Sequence, residues 1–191
     1  QAYIICNFTP AINGMPSLLT FEEVQTLFHE MGHALHHLLT QIDHFAISGI
    51  NGVEWDAVEL PSQFMEYFTW NYHILSTITK HVKTNEQLPL ELYNKLLASR
   101  HYQSGLQMLR QLEFAIFDLS LHQALSTKID YLALLNQIRK DIAVIIPPKY
   151  NRFPNSFSHI FAGGYACGYY SYKWAEVLAT DIFATFDEAG I

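Results

Sequence analysis

The chain has 191 residues, half of them hydrophobic and only 15% charged, against about 25% charged in an ordinary soluble domain. That excludes disorder and leaves enough apolar side chain for a real core. Eighteen acidic against 11 basic residues give a formal charge of −7, which argues against a nucleic-acid binder, and no run approaches the roughly 18 apolar residues of a membrane span.

Residues 2–8, apolar and β-branched, predict a short strand. Asn13-Gly14 and Pro16 mark turns. Thr20 followed by Glu23 forms a capping box, and Val24, Leu27, Phe28, Met31, Ala34, Leu35 and Leu38 recur at a helical period, so a helix is expected from about 21 to 41. Residues 45–49 read as a second short strand and Asn51-Gly52 as a tight turn. A helix is expected over about 55–80, with Pro61 tolerated near its start. Pro89 opens a helix to about residue 99. Helical patterns follow at 101–126 and 130–145, the latter ended by Pro147-Pro148. Residues 149–158 read as loop. Gly163, Gly164 and Gly168 interrupt the next segment, and a last helix is expected over about 169–187. The fold class is mainly α, with at most a small β-sheet at the N-terminal side, in one or at most two domains.

Gln1 opens a segment with neither a basic start nor a cleavage site, unlike a secretory signal. Cys6 and Cys167 form no C-x-x-C pair and suggest no disulfide framework, so a reducing, cytoplasmic setting is the expectation. The non-Met start and the low charge fraction are read as marks of a piece of a larger chain, truncated at both ends.

The helix at 21–41 carries His29-Glu30-Met31-Gly32-His33, an H-E-x-x-H pattern. Residues four apart share one helical face, so His29 and His33 can offer two imidazole nitrogens to one Zn²⁺. Glu30, beside the first of them, can reach a water at the metal as general base. His36 and His37 are read as groups outside the ligand set. A catalytic zinc needs a third protein ligand and an open position. Glu59 leads, 26 residues after His33, and Asp56, Glu54 and Glu66 are its rivals. Asp56 and Glu66 could share a face with Glu59, which suits either a carboxylate that orients a ligating imidazole or an ordinary cap and a solvated side chain.

Near the C-terminal end Tyr165, Tyr169 and Tyr172 fall at i, i+4 and i+7, so one face could present several phenols. A phenol O–H placed against a developing oxyanion would add to a metal's Lewis acidity. Tyr169, Tyr170 and Trp174 have the alternative of being core or rim aromatics, the preferred reading for Tyr169 and Tyr170. The glycines at 163, 164 and 168 could let this segment move over a substrate.

Three separated motifs occur in order: H-E-x-G-H at 29–33, V-E-x-P-S-Q at 58–63, and His159 with A-G-G-Y and Y-Y-x-Y-x-W up to Trp174. Together they resemble the thimet oligopeptidase family of zinc metallopeptidases over essentially the whole chain. The resemblance implies zinc ligands at His29, His33 and Glu59 and a general base at Glu30. It implies substrate-binding and transition-state-stabilising roles for His159, Tyr165 and Tyr172. It implies an almost wholly helical fold flanking a channel that admits short peptides. Residues 1–191 would then be the zinc-binding part of the catalytic domain, partnered by the N-terminal region of the same protein, with no nucleic acid and no membrane involved. Met31 stands where the family usually has Phe. The expected activity is endopeptidase cleavage of short peptides. A dipeptidyl carboxypeptidase, or an inert zinc-binding fragment lacking the opposite channel wall, are the alternatives.

Overall fold

The computed structural model describes residues 1–124 and 128–190. They form two compact units, Gln1–Arg100 with Ala175–Ile191, and His101–Trp174. Among the described residues there are eight α-helices and four short 3-10 turns, and no strand. The only β-type pairing among them is an isolated antiparallel bridge between Lys80 and Gln87.

In the first unit, α1 (Phe21–Leu38) starts with the expected capping box. Thr20 Oγ1 accepts from the Glu23 N–H at 3.2 Å, and the Thr20 N–H donates to Glu23 Oε2 at 2.7 Å. The other oxygen, Oε1, accepts from both the N–H and the hydroxyl of Thr9 at 2.8 Å. One side chain thus fixes the start of the helix and tethers the segment before it. These hydrogen bonds, the Thr20 N–H first, hold the Glu23 carboxyl below its ordinary range.

The predicted strand at 2–8 does not form. Tyr3 and Ile5 are more than four-fifths exposed, and a strand without a partner leaves its backbone groups to water. The second predicted strand is instead a pair of 3-10 turns, Phe45–Ile47 and Gly49–Gly52. The helix expected over 55–80 is broken. Residues 55–59 are turn, α2 runs Leu60–Tyr67, a 3-10 turn covers Phe68–Trp70, and α3 runs Tyr72–Ile78. Pro61 in the first turn of α2 sets where helix can begin. Asn71 restarts it, its side chain accepting from the Ile74 N–H at 3.2 Å.

Helix α4 (Leu90–Ser99) follows Pro89 and is tied back by Tyr93, whose hydroxyl donates to the Trp70 carbonyl at 2.8 Å. The last helix, α8 (Ser171–Glu188), lays Phe183 and Phe186 against Phe64 and Phe68 of α2 and its continuation. Phe183 also stacks on Tyr67 with ring centroids 4.9 Å apart. The Arg100 guanidinium sits 5.0 Å from the Trp70 ring centroid.

The second unit is built on α5 (Ser104–Gln123) and α6 (Tyr131–Ile142), the latter capped by Asp130. Its core joins Phe117, Leu135, Ile138, Phe157, Ile160 and Tyr169. Inside it lies an ion pair in which Arg139 Nε donates to Glu113 Oε1 at 2.8 Å, both side chains being almost fully buried. Arg110, 39% exposed, donates to the same oxygen at 2.7 Å. The stretch 149–158 predicted as loop contains a 3-10 turn at Phe153–Ser156, and a single helical turn, α7 (Ser158–Phe161), follows at its end. No helix among the described residues is long and apolar enough to cross a membrane.

Candidate metal centre and aromatic cluster

Helix α1 turns His29 and His33 to one side, their rings 4.9 Å apart and nearly perpendicular. Helix α2 crosses that face with Glu59 as its N-cap residue. The crossing is close because residue 32 is glycine. A Cβ there would lie 2.5 Å from the Ser62 Cα and closer still to the Pro61 carbonyl oxygen, so any side chain would push the helices apart. Glu59 is 1% exposed. Its Oε2 lies 3.2 Å from Nε2 of His29 and 3.2 Å from Nε2 of His33.

Two flanking groups fix this trio. Glu66, one helical turn and a half beyond Pro61, meets His29 Nδ1 at 2.6 Å through its Oε1. This orients the ring so that Nε2 faces Glu59. The fully buried Ser62 hydroxyl has two acceptors in reach, Glu59 Oε2 at 2.9 Å and the Glu59 carbonyl at 2.8 Å. Burial works against a charge on His29, but the hydrogen bonds and charges of Glu59 and Glu66 outweigh it and push its pKa up to about 9. His33 Nδ1 is buried without a hydrogen-bond partner.

A metal ion fits this donor set. His29, His33 and Glu59 are the one group among the described residues able to hold a cation, with one ligand atom from each and all within 4.8 Å of one another. Ligands about 2.0–2.2 Å from a tetrahedral zinc stand roughly 3.3 Å apart, which the two Nε2···Oε2 separations match. Two imidazoles and a carboxylate leave a fourth position open, the pattern of catalytic rather than structural zinc.

Of the rivals for the third position, Glu66 holds His29 from its far nitrogen. Asp56 lies in the turn before α2, and Glu54 is exposed at the end of the 3-10 segment. His36 and His37 stay outside the donor group. Burial first, then the charges of His33 and His37, lowers the His36 pKa. Glu30 follows His29 on α1, half-buried. Its charge, after burial, helps push the Cys6 thiol up. Both cysteines are free.

His159, Tyr165 and Tyr172 come together in the second unit. Tyr165 and Tyr172 are stacked, 5.1 Å between centroids and 21° apart, and the His159 ring lies 6.3 Å from the first and 6.2 Å from the second. His159 sits in α7, which is closed by two glycines. The Gly163 N–H donates to the Ser158 carbonyl at 2.7 Å, and Gly164 takes a left-handed φ of +87°. Gly163 and Gly164 thus form the stop of α7. Tyr169 is core, 8% exposed, its hydroxyl donating to Gln111 Oε1 at 3.0 Å. Burial pushes its pKa up to about 12. Tyr170 and Trp174 are rim aromatics.

Gly32, Ser62 and Asp118 carry no role in the sequence reading. A glycine inside H-E-x-G-H and a serine three residues after Glu59 are visible signals, whereas Asp118 meets its partners 49 and 51 residues away and leaves none.

Comparison with known proteins gives concordant results. The chain is 54% identical to oligopeptidase A of Salmonella typhimurium over 192 residues, covering all of this chain and 28% of that protein. It is 55% identical to oligopeptidase A of Escherichia coli, again over 28% of that protein's length. A dipeptidyl carboxypeptidase of Salmonella typhimurium is 32% identical over 98% of this chain and 28% of its own length. The model of peptidase family M3 matches residues 1–191, and the chain belongs to that family.

Proposed function

We propose that this chain is the zinc-binding part of an endopeptidase that hydrolyses short peptides with a metal-activated water. The observation that carries the reading is the meeting of Glu59 Oε2 with Nε2 of both His29 and His33. The higher identity to the proteins named oligopeptidase A than to the dipeptidyl carboxypeptidase favours the endopeptidase form. Because the chain spans 28% of those relatives, the peptide is held in part by the rest of the protein.

Zinc, when bound by His29, His33 and Glu59, supplies a Lewis acid that activates water and polarises the scissile carbonyl. The Glu30 carboxylate takes the proton of the attacking water and delivers it to the leaving amine nitrogen. The hydroxyl of Tyr172, with Tyr165 and His159 beside it, donates to the carbonyl oxygen as negative charge develops there. Glu66 keeps the His29 ring in register from its far nitrogen.

The test is cleavage of an internally quenched short peptide by the full natural chain carrying these residues, with and without chelator. Glu30→Gln should retain zinc and lose turnover, and zinc loss in that variant would refute the base assignment. Cleavage two residues from the peptide's C-terminus, and nowhere else, would favour the dipeptidyl carboxypeptidase form. No chelator-sensitive cleavage would refute the proposal.

A further inference from the structure

The segment that carries Tyr165 and Tyr172 is largely exposed and contains a residue in an unfavourable backbone state. Cys167 has φ +60° without being glycine, a conformation that needs support from its surroundings. The Gly168 N–H closes a turn onto the Tyr165 carbonyl at 2.8 Å. A side chain of α5 supports the turn from outside. Asp118, on α5 and fully buried, accepts the Cys167 N–H at Oδ1 and the Tyr169 N–H at Oδ2, each at 2.9 Å. His122, one turn along α5, faces the same group, its Nδ1 2.9 Å from Asp118 Oδ1 and 2.8 Å from the Asp118 carbonyl.

A buried carboxylate is expensive to desolvate and persists where it is fully hydrogen-bonded. Here its two oxygens grip alternate amides of a single turn. The same turn joins the two tyrosines: the Gly168 N–H donates to the Tyr165 carbonyl, and Tyr169 meets Tyr172 through its carbonyl, 3.4 Å from the Tyr172 N–H, and its ring, 5.1 Å between centroids. The apolar side chains of this core, Phe117 and Phe157 among them, cannot accept from backbone N–H groups in its place.

We infer that Asp118 is a positioning residue, clamping the turn at 167–169 so that the Tyr165 and Tyr172 hydroxyls are held where the reaction needs them. The inference rests on the roles proposed above for those tyrosines. It concerns kcat rather than affinity, because a phenol aimed at a developing oxyanion acts in the transition state, and misplacement by about 1 Å can cost about a hundredfold in rate.

Asn at 118 keeps one acceptor and replaces the other with a donor, so one amide is left unmatched. In the full natural chain with a quenched peptide, Asp118→Asn should lower kcat about a hundredfold while KM stays within about threefold. In a Tyr165→Phe/Tyr172→Phe background the same substitution should cost less than about threefold more, because the groups it positions are gone. An unchanged kcat, or an equal loss in both backgrounds, overturns the inference. If Asp118→Asn does not fold, amide exchange of the unsubstituted protein decides. The Cys167 and Tyr169 amides should exchange at least about a hundredfold slower than in an unstructured peptide, and unprotected exchange overturns the clamp. If the unsubstituted chain cleaves no peptide, the proposed function fails. If the tyrosine variants cleave normally, the tyrosine assignment fails. Each is distinct from a failure of Asp118→Asn alone.

Discussion

The Ser62 hydroxyl lies 2.9 Å from Oε2 of Glu59, the same carboxylate oxygen that faces the His29 and His33 imidazoles of α1. A buried hydroxyl thus supports the carboxylate at the atom that would bind metal. Groups that orient a ligand in this way are typically worth about 10–100-fold in metal affinity. Ser62→Ala is therefore expected to weaken zinc binding by that order without unfolding the protein, as competition with a chromophoric chelator would show. Unaltered zinc affinity would mean that packing alone holds Glu59.

Gly32 controls the same crossing by having no side chain. Gly32→Ala forces a methyl group into the backbone of Pro61 and Ser62, and such overpacking typically costs about 1–3 kcal/mol. The expected outcome is a lower denaturant midpoint, together with reduced zinc occupancy because α2 carries Glu59. An alanine variant as stable as the parent would show that the two helices can separate at no cost.

The ion pair in the second unit makes an asymmetric prediction. Removing Arg139 leaves Glu113 charged in the core with only the half-exposed Arg110 beside it. Breaking a buried pair in this way costs about 3–5 kcal/mol, and Arg110 places Arg139→Ala near the lower end. Arg110→Ala should cost about 1 kcal/mol or less, since an exposed partner is screened. Equilibrium unfolding in urea ranks the two, and equal effects would contradict the burial argument.

Tyr169 sets an alkaline limit. An unfolded phenol ionises near pH 10, whereas burial holds the folded one neutral to about 12. Its pKa is raised on folding, so its contribution is complete below pH 10 and disappears as the pH rises toward 12. Unfolding followed between pH 9 and 12 should show stability falling in that window, with a shallower fall for Tyr169→Phe. Identical pH profiles would assign the alkaline loss to other groups.

Helices were legible wherever a cap and a 3.6-residue period coincided, as at Thr20 with the apolar stripe of α1. The mainly helical class followed from that. Strand-like stretches were not legible. Residues 2–8 have the right side chains, but pairing depends on a neighbour that a local pattern does not reveal. The break between α2 and α3 was hidden because Phe68, Thr69 and Trp70 continue an apolar run, and only Asn71 hints at a restart. The His29, His33 and Glu59 trio could be anticipated because two members share one helix and the third starts the next. The supports behind it were less visible, since Ser62 and Gly32 act through contacts that only the crossing of α1 and α2 creates.

Glu23 joins the start of α1 to the segment before it. Its two oxygens hold Thr20 and Thr9 together, and they accept these hydrogen bonds in full only while the group is ionised. Its pKa is lowered on folding, so this contribution is present above the ordinary carboxylate range and is lost as the pH falls through the depressed value. The stretch before α1 is therefore fastened by an acid-releasable latch. On acidification residues 9–20 should come loose while α1 still stands, exposing a first place for proteolytic nicking.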